Sequence, residues 1–187
     1  MFSKITMTSI FVLTLMFSLR AQEREETNLH TISHKVSVEV ESSIEEVYEY
    51  ITDSDMPVEI IKRHGIVPGP VSSELLNDQW INVGDKKRFT FSDKSTSIEE
   101  ITALNDPNYH AYKVYDFSNP LLNVLLKEIK GEWFLKELEN EKTLVSWKYT
   151  FNARNWPSKL VLNELVKHQF KTFMGNVMPR LKAKLEN

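Results

Sequence analysis

From Pro157 to Glu186 the chain carries one apolar stripe with no turn cluster in it. Leu162, Val166, Phe170, Phe173, Val177, Leu181 and Leu185 recur at spacings of three or four, which is one face of a helix. Leu165, Met174 and Met178 widen that face. At 1.5 Å per residue the helix is roughly 42 Å long. A helix so long and so broadly apolar must bury its face against a large partner surface. Asn155 is placed to cap it, and Pro157 falls in the first turn, where a missing N–H is harmless. Pro179 removes the hydrogen bond to residue 175 and crowds that carbonyl. The stripe continues to Leu185, so the spacing predicts a bend near Gly175–Pro179 rather than a stop.

The partner surface lies upstream. His34–Glu41 alternates, with Val36, Val38 and Val40 on one side and charged or hydroxyl residues on the other, as in a half-buried strand. Ser42 and Ser43 each precede a Glu by three residues, a capping box for a helix whose apolar face is Ile44, Val47, Tyr48 and Ile51. Residues 54–83 are irregular, with a short helix predicted over Pro57–His64 and a second short element over Ser72–Trp80. Strands are predicted at Lys86–Ser92, Ser95–Leu104, Tyr109–Phe117, Glu128–Leu138 and Thr143–Asn152. Short turns at Asp93-Lys94, Asn105–Asn108 and Glu139–Lys142 make them an antiparallel meander. Residues 118–127 carry an apolar run placed to cover a cavity mouth. The fold class is α+β: a curved antiparallel sheet wrapped around a long C-terminal helix.

Composition bounds what such a domain does. The chain has 187 residues, 41% of them hydrophobic and 26% charged, and a net charge of −3. Lys86-Lys87-Arg88 is its longest basic block, which gives no electrostatic case for nucleic acid. Without cysteine there is no disulfide, thiolate metal site or Cys nucleophile. His30, His34, His64, His110 and His168 show no metal-ligand spacing, so no metal is expected. His168 falls on the flank of the long helix, as a solvated residue or at a cavity rim. Lys4, the apolar run Ile5–Leu19 and the small residue Ala21 read as an export signal over residues 1–21. The run spans about 22 Å as a helix, short of a bilayer core, which favours cleavage over anchoring and leaves no stable membrane span. The expected organisation is a signal (1–21), a loose tail (22–33) and one domain (34–187) in an exported protein, periplasmic or secreted.

The order strand, short helices, meander, long helix resembles the SRPBCC or START-like superfamily, the helix-grip fold. The resemblance is carried by HKVSVEVESSIEEVYEYITD at 34–53, WINVGDKKRFTFSDKSTSIEEIT at 80–102, HAYKVYDF at 110–117, GEWFLKEL at 131–138 and TLVSWKYTF at 143–151. It covers roughly residues 34–186 and looks closest to bacterial polyketide cyclase/dehydrase-like members. Many relatives have Asp-Gly where this chain has Asp93-Lys94; Lys94 suits positive φ poorly, which predicts a different turn here. The resemblance implies a hydrophobic cavity between sheet and helix, no fixed catalytic set and no cofactor.

A two-residue turn at Asp93-Lys94 would pair Phe91 with Thr96, Phe89 with Ile98 and Lys87 with Glu100, leaving Arg88 and Glu99 as the outward pair. With Phe89 and Ile98 inward, Lys87 and Glu100 point inward too, unless the register slips by one and exchanges the pairs. The ligand-contacting set expected from alternation is Phe89, Ile98, Tyr112, Trp133, Trp147, Tyr149, Phe170 and Phe173. Lys87, Glu100 and Tyr112 are the first polar candidates for catalysis. Asp116 and Tyr112, an alternative acid–base pair, are about 13 Å apart along a strand. Three functions fit: binding of a small hydrophobic or amphipathic molecule, cyclase, dehydratase or hydrolase chemistry in the same cavity, or a filled interaction domain. The aromatic inner face without a nucleophile elbow, phosphate loop or paired carboxylates favours the first.

Overall fold

The computed structural model describes residues 30–186. The expected export signal lies outside the described residues. Seven strands form one antiparallel sheet: β1 (Thr31–Val40), β2 (Pro70–Leu75), β3 (Lys86–Phe91), β4 (Thr96–Asn105), β5 (Tyr109–Tyr115), β6 (Leu126–Glu137) and β7 (Thr143–Ala153). Their order across the sheet is β1-β7-β6-β5-β4-β3-β2. Neighbours from β2 to β7 are therefore consecutive in the chain, the expected meander. The first strand returns beside the last. The sheet starts earlier than alternation alone suggested, because Thr31–Ser33 already pair with Thr150–Asn152 and are not tail.

Helix α1 (Ile44–Thr52) begins at the capping box: Glu46 N–H donates to Ser43 Oγ, and Ser43 N–H donates to Glu46 Oε2. Helix α2 (Met56–Ile60) is shorter than expected. Helix α3 (Pro120–Leu125) uses the apolar run before β6; Asn119 caps it and Pro120 opens it. The C-terminal segment is helical from Trp156 to Leu185, as α4 (Trp156–Leu165), a wide π turn (Val166–Phe170) and α5 (Lys171–Leu185). Asn155 accepts from Ser158 N–H at its start. The helix runs through Pro179 without a stop, as expected, and the wide π turn lies upstream at Val166–Phe170.

Sheet and helix meet along the stripe read from sequence. Leu162, Val166, Phe170, Phe173, Val177 and Leu181 are buried against Val145, Trp147, Tyr149 and Phe151. The far end of the helix is tied to the β1–α1 corner: Lys182 donates to Glu39 O at 2.9 Å, and Ser42 Oγ donates to Leu185 O at 2.8 Å. These bonds use carbonyls left without partners at a helix end and a strand end. No helix among the described residues is long and apolar enough to cross a membrane.

Candidate functional site

The β3–β4 turn decides which side chains reach the interior. Phe91 N–H donates to Ser95 O and Lys94 N–H to Phe91 O, so three residues form the loop, not two. Lys94 takes φ +68, the left-handed last position that such a loop requires. Asp93 steadies it by accepting from both N–H and Oγ of Ser95. The extra residue shifts the register by one: Lys87 pairs with Glu99, Arg88 with Ile98 and Lys86 with Glu100. Glu99, expected on the outside, is thereby inside. Ile98 and Glu100, expected inside, lie on the outer face, where Glu100 meets Lys113 at 2.9 Å, Lys86 at 3.6 Å and the Tyr115 hydroxyl at 2.9 Å.

Inside, the apolar wall encloses two adjoining compartments, of about 60 and 70 Å³. The first is lined by Trp80, Lys87, Phe89, Glu99, His110, Tyr112 and Trp133 under a roof from α1, α2 and the loop behind them. The second lies beneath α3 and is lined by Phe117, Leu122, Ile129 and Phe170. Pro68, Phe91, Val114, Tyr149 and Phe173 border both. Of the expected contact residues, Phe89, Tyr112, Trp133, Tyr149, Phe170 and Phe173 thus line the cavity. Trp147 stands one layer behind, stacked on Trp133 at 5.0 Å.

The first compartment holds the polar groups. Lys87 Nζ is 3.2 Å from Glu99 Oε1, donates to Ser54 O at 3.2 Å and sits 4.1 Å above the Trp80 ring. Both side chains of the pair are buried, at 2% and 7% exposure. Burial pushes the Glu99 carboxyl up, against the pull of Lys87. Trp147 Nε1–H donates to the Tyr112 hydroxyl at 3.0 Å, and Tyr112 in turn hydrogen-bonds Tyr149. Burial first holds both phenols far above the usual range; Tyr149 and Glu99 push Tyr112 further up, whereas Tyr149 is raised by Glu99 and drawn down by its hydrogen bond with Tyr112. Gly131 makes room for this chain, because a methyl group there would run into the Tyr112 ring. His110 is pressed down to about 4 by burial and by Lys87, so it is neutral at pH 7. Its Nδ1 and the Oγ of Ser97 are buried without a protein hydrogen-bond partner. An unmatched buried polar atom costs about 1–3 kcal/mol, and of the two residues His110 lines the cavity, where an incoming group gains from it.

Trp80 and His110 also border a groove of about 400 Å³ on the far side, between α1 and the β4–β5 hairpin. They form a two-residue wall between interior and surface. Neither was identified from sequence. His110 shares the parity of Tyr112 and Val114, so alternation already places it inward. Trp80 lies in the irregular segment, where no periodicity speaks for it. Tyr112 and Lys87 do border one compartment, but Asp116 and His168 are exposed, and His168 pairs with Glu164 at 3.3 Å. Among the described residues no three His, Asp or Glu side chains gather as a metal site.

Solved structures share this architecture. Ginseng major latex-like protein 151 from Panax ginseng is 16% identical, with a TM-score of 0.60 over 84% of this chain and 99% of its own. The protein XoxI from Bacillus cereus is 19% identical, with a TM-score of 0.59 over 82% and 94%. Ara h 8.0201 is 10% identical, with a TM-score of 0.58 over 82% and 99%. At these identities the likeness is one of fold. No curated protein matches the sequence significantly. The family model described as polyketide cyclase/dehydrase and lipid transport matches residues 31–186, from the first strand to the end of the helix. By that match, over nearly every described residue, the chain belongs to the polyketide cyclase/dehydrase and lipid transport family.

Proposed function

We propose that the chain binds a small hydrophobic or amphipathic molecule between its sheet and C-terminal helix. Family and fold both suggest hydrophobic ligand binding. The observation that carries the finer reading is the asymmetry of the cavity. Its second compartment is almost wholly apolar, whereas the first ends in Lys87, Glu99, His110 and the Tyr112–Tyr149 pair. Apolar burial would supply affinity and these groups orientation. Compartments of this size hold only a few heavy atoms each. A larger ligand has to part the shared wall of Phe91, Tyr149 and Phe173. In keeping with the N-terminal pattern, we place the protein outside the cytoplasm.

Native mass spectrometry of protein from its own host, before and after organic extraction, tests this. A retained mass that extraction removes, and that Phe173→Trp excludes, is the expected result. A bare protein that also fails to displace an apolar dye would overturn the reading. A second reading, cyclase, dehydratase or hydrolase chemistry, draws on one feature: a neutral His110 with a free Nδ1 beside the Lys87–Glu99 pair. It requires that His110→Phe abolish turnover of the extracted compound while leaving its binding intact.

A further inference from the structure

The end of the fold where the chain enters β1 gathers exposed apolar side chains. Ala153 N–H donates to His30 O there, so the chain preceding residue 30, with its apolar run Ile5–Leu19, joins the domain beside the root of α4. Helices α3 and α4 pack side by side at this end, and Arg154 binds both O and Oδ1 of Asn123 across them. Leu121 and Val124 of α3 are exposed, as are Trp156, Leu160 and Val161 of α4. The residues that α4 buries are on its other face, Ser158 and Leu162, so these side chains turn much of their apolar surface to solvent. Trp156 is 58% exposed, whereas Trp80, Trp133 and Trp147 are buried. A contiguous apolar surface of this kind marks an interaction site.

The charges around it have one prevailing sign. Arg154, Lys159, Lys167 and Lys171 follow one another along the helix with a single acid, Glu164, which faces His168. Lys127 follows α3, whose own residues carry no charge. The nearby acid Asp93 is occupied by Ser95 and Asn119, Glu128 is paired with Lys130 at 3.5 Å, and Asp116 is a further carboxylate at this end. The whole chain is net negative at −3, so this is a basic island. The second cavity compartment reaches the same end, through Asn119 and Leu122.

We propose that the α3–α4 face docks on a lipid bilayer surface carrying anionic headgroups. Trp156, Leu160, Val161, Leu121 and Val124 enter the headgroup–acyl boundary, and the lysines and Arg154 meet the headgroups. The apolar ridge within a one-sign basic surround fits a planar anionic apolar interface better than a folded protein with its own pockets and charges of both signs. Docking this way points the open end of the second compartment at the bilayer. The proposal stands independently of whether the cavity holds a ligand.

The test is quenching in the full chain by vesicles of brominated phosphatidylcholine, with and without phosphatidylglycerol. Only Trp156 is exposed, so acyl-chain bromine should remove the Trp156 share of the emission and leave the buried tryptophans untouched. Trp156→Phe should abolish that quenching, Lys167→Gln should weaken partitioning about fivefold, and Leu160→Asp with Val161→Asp should abolish Trp156 contact; circular dichroism checks the fold of each. Co-sedimentation without Trp156 quenching would assign any membrane contact to the N-terminal segment alone and overturn the proposal. No partitioning at all would overturn it equally. So would shielding of Trp156 from acrylamide in lipid-free buffer: if independent of concentration, the chain's own N-terminal segment covers the face; if concentration-dependent, a second copy does.

Discussion

Two acid–base pairs, Lys87–Glu99 and Lys86–Glu100, occupy neighbouring positions on β3 and β4 and live in opposite worlds. Lys87–Glu99 faces the cavity and is buried; Lys86–Glu100 faces outward, where Glu100 also meets Lys113 of β5 and both lysines are partly exposed. The chemistry is the same and only strand parity differs. Burial drives the Glu99 carboxyl up despite its lysine. At Glu100 burial also works upward but is outweighed by hydrogen bonds from Lys113 and Tyr115, and the carboxyl is lowered. The outer pair costs little and is worth little. The inner pair is expensive to bury and more expensive to break.

The sharpest break of this comparison is Lys87→Met, which strands Glu99 in the interior. It should cost about 3–5 kcal/mol in a denaturant titration, and Lys87→Met with Glu99→Leu should recover most of that loss. A single-mutant cost below that of an outer-face change would refute the contrast. Next comes pH. His110 sits near 4 in the fold against 6.5 for the ordinary side chain, held down by burial first and Lys87 second. Above 6.5 both folded and unfolded states are neutral there and its contribution to stability is complete. As pH falls from 6.5 towards 4 the unfolded chain gains a proton that the fold refuses, and about 3 kcal/mol is lost over that window. The unfolding midpoint of His110→Phe, measured across the same range, should be flatter than that of the parent. Gly131→Ala should cost about 1–3 kcal/mol, because the new methyl displaces the Tyr112 ring from its place; loss of near-ultraviolet ellipticity from the Trp147–Tyr112 contact would report it. The smallest effect belongs outside: Glu100→Gln should change stability by under about 1 kcal/mol, and less still in high salt.

The helix-grip layout was legible because long periods average out local error. The stripe from Leu162 to Leu185 and the alternation of Val36, Val38 and Val40 each repeat a signal several times. The register of β3 against β4 rested on a single turn, and there one residue moved two carboxylates across the sheet. Hydrophobic alternation was little help, since both faces of β4 carry a mixture: Ser97, Glu99 and Ile101 inside, Ile98 and Glu100 outside. Aromatic cavity residues on β5 to β7 were found because Tyr112, Trp133 and Tyr149 each follow the alternation of their own strand. Trp147 was placed on the right face, but depth behind a neighbour is a property of packing that one strand's pattern does not contain. Trp80, in the segment before β3, reaches the cavity through a tertiary contact with Lys87 and His110 alone.

The wide turn at Val166–Phe170 has a consequence for how this helix tolerates change in length. Lys171 N–H reaches back five residues to Val166 O, so the turn accommodates one residue more than an α turn. Elsewhere in the helix, adding or removing a residue rotates everything beyond it by about 100° and swings Phe173, Val177 and Leu181 off the sheet. Within the wide turn a one-residue deletion returns the backbone to ordinary α geometry and leaves the two halves in phase. The C-terminal helix thus has one seam where its length is adjustable, and that seam borders the second cavity compartment through Phe170.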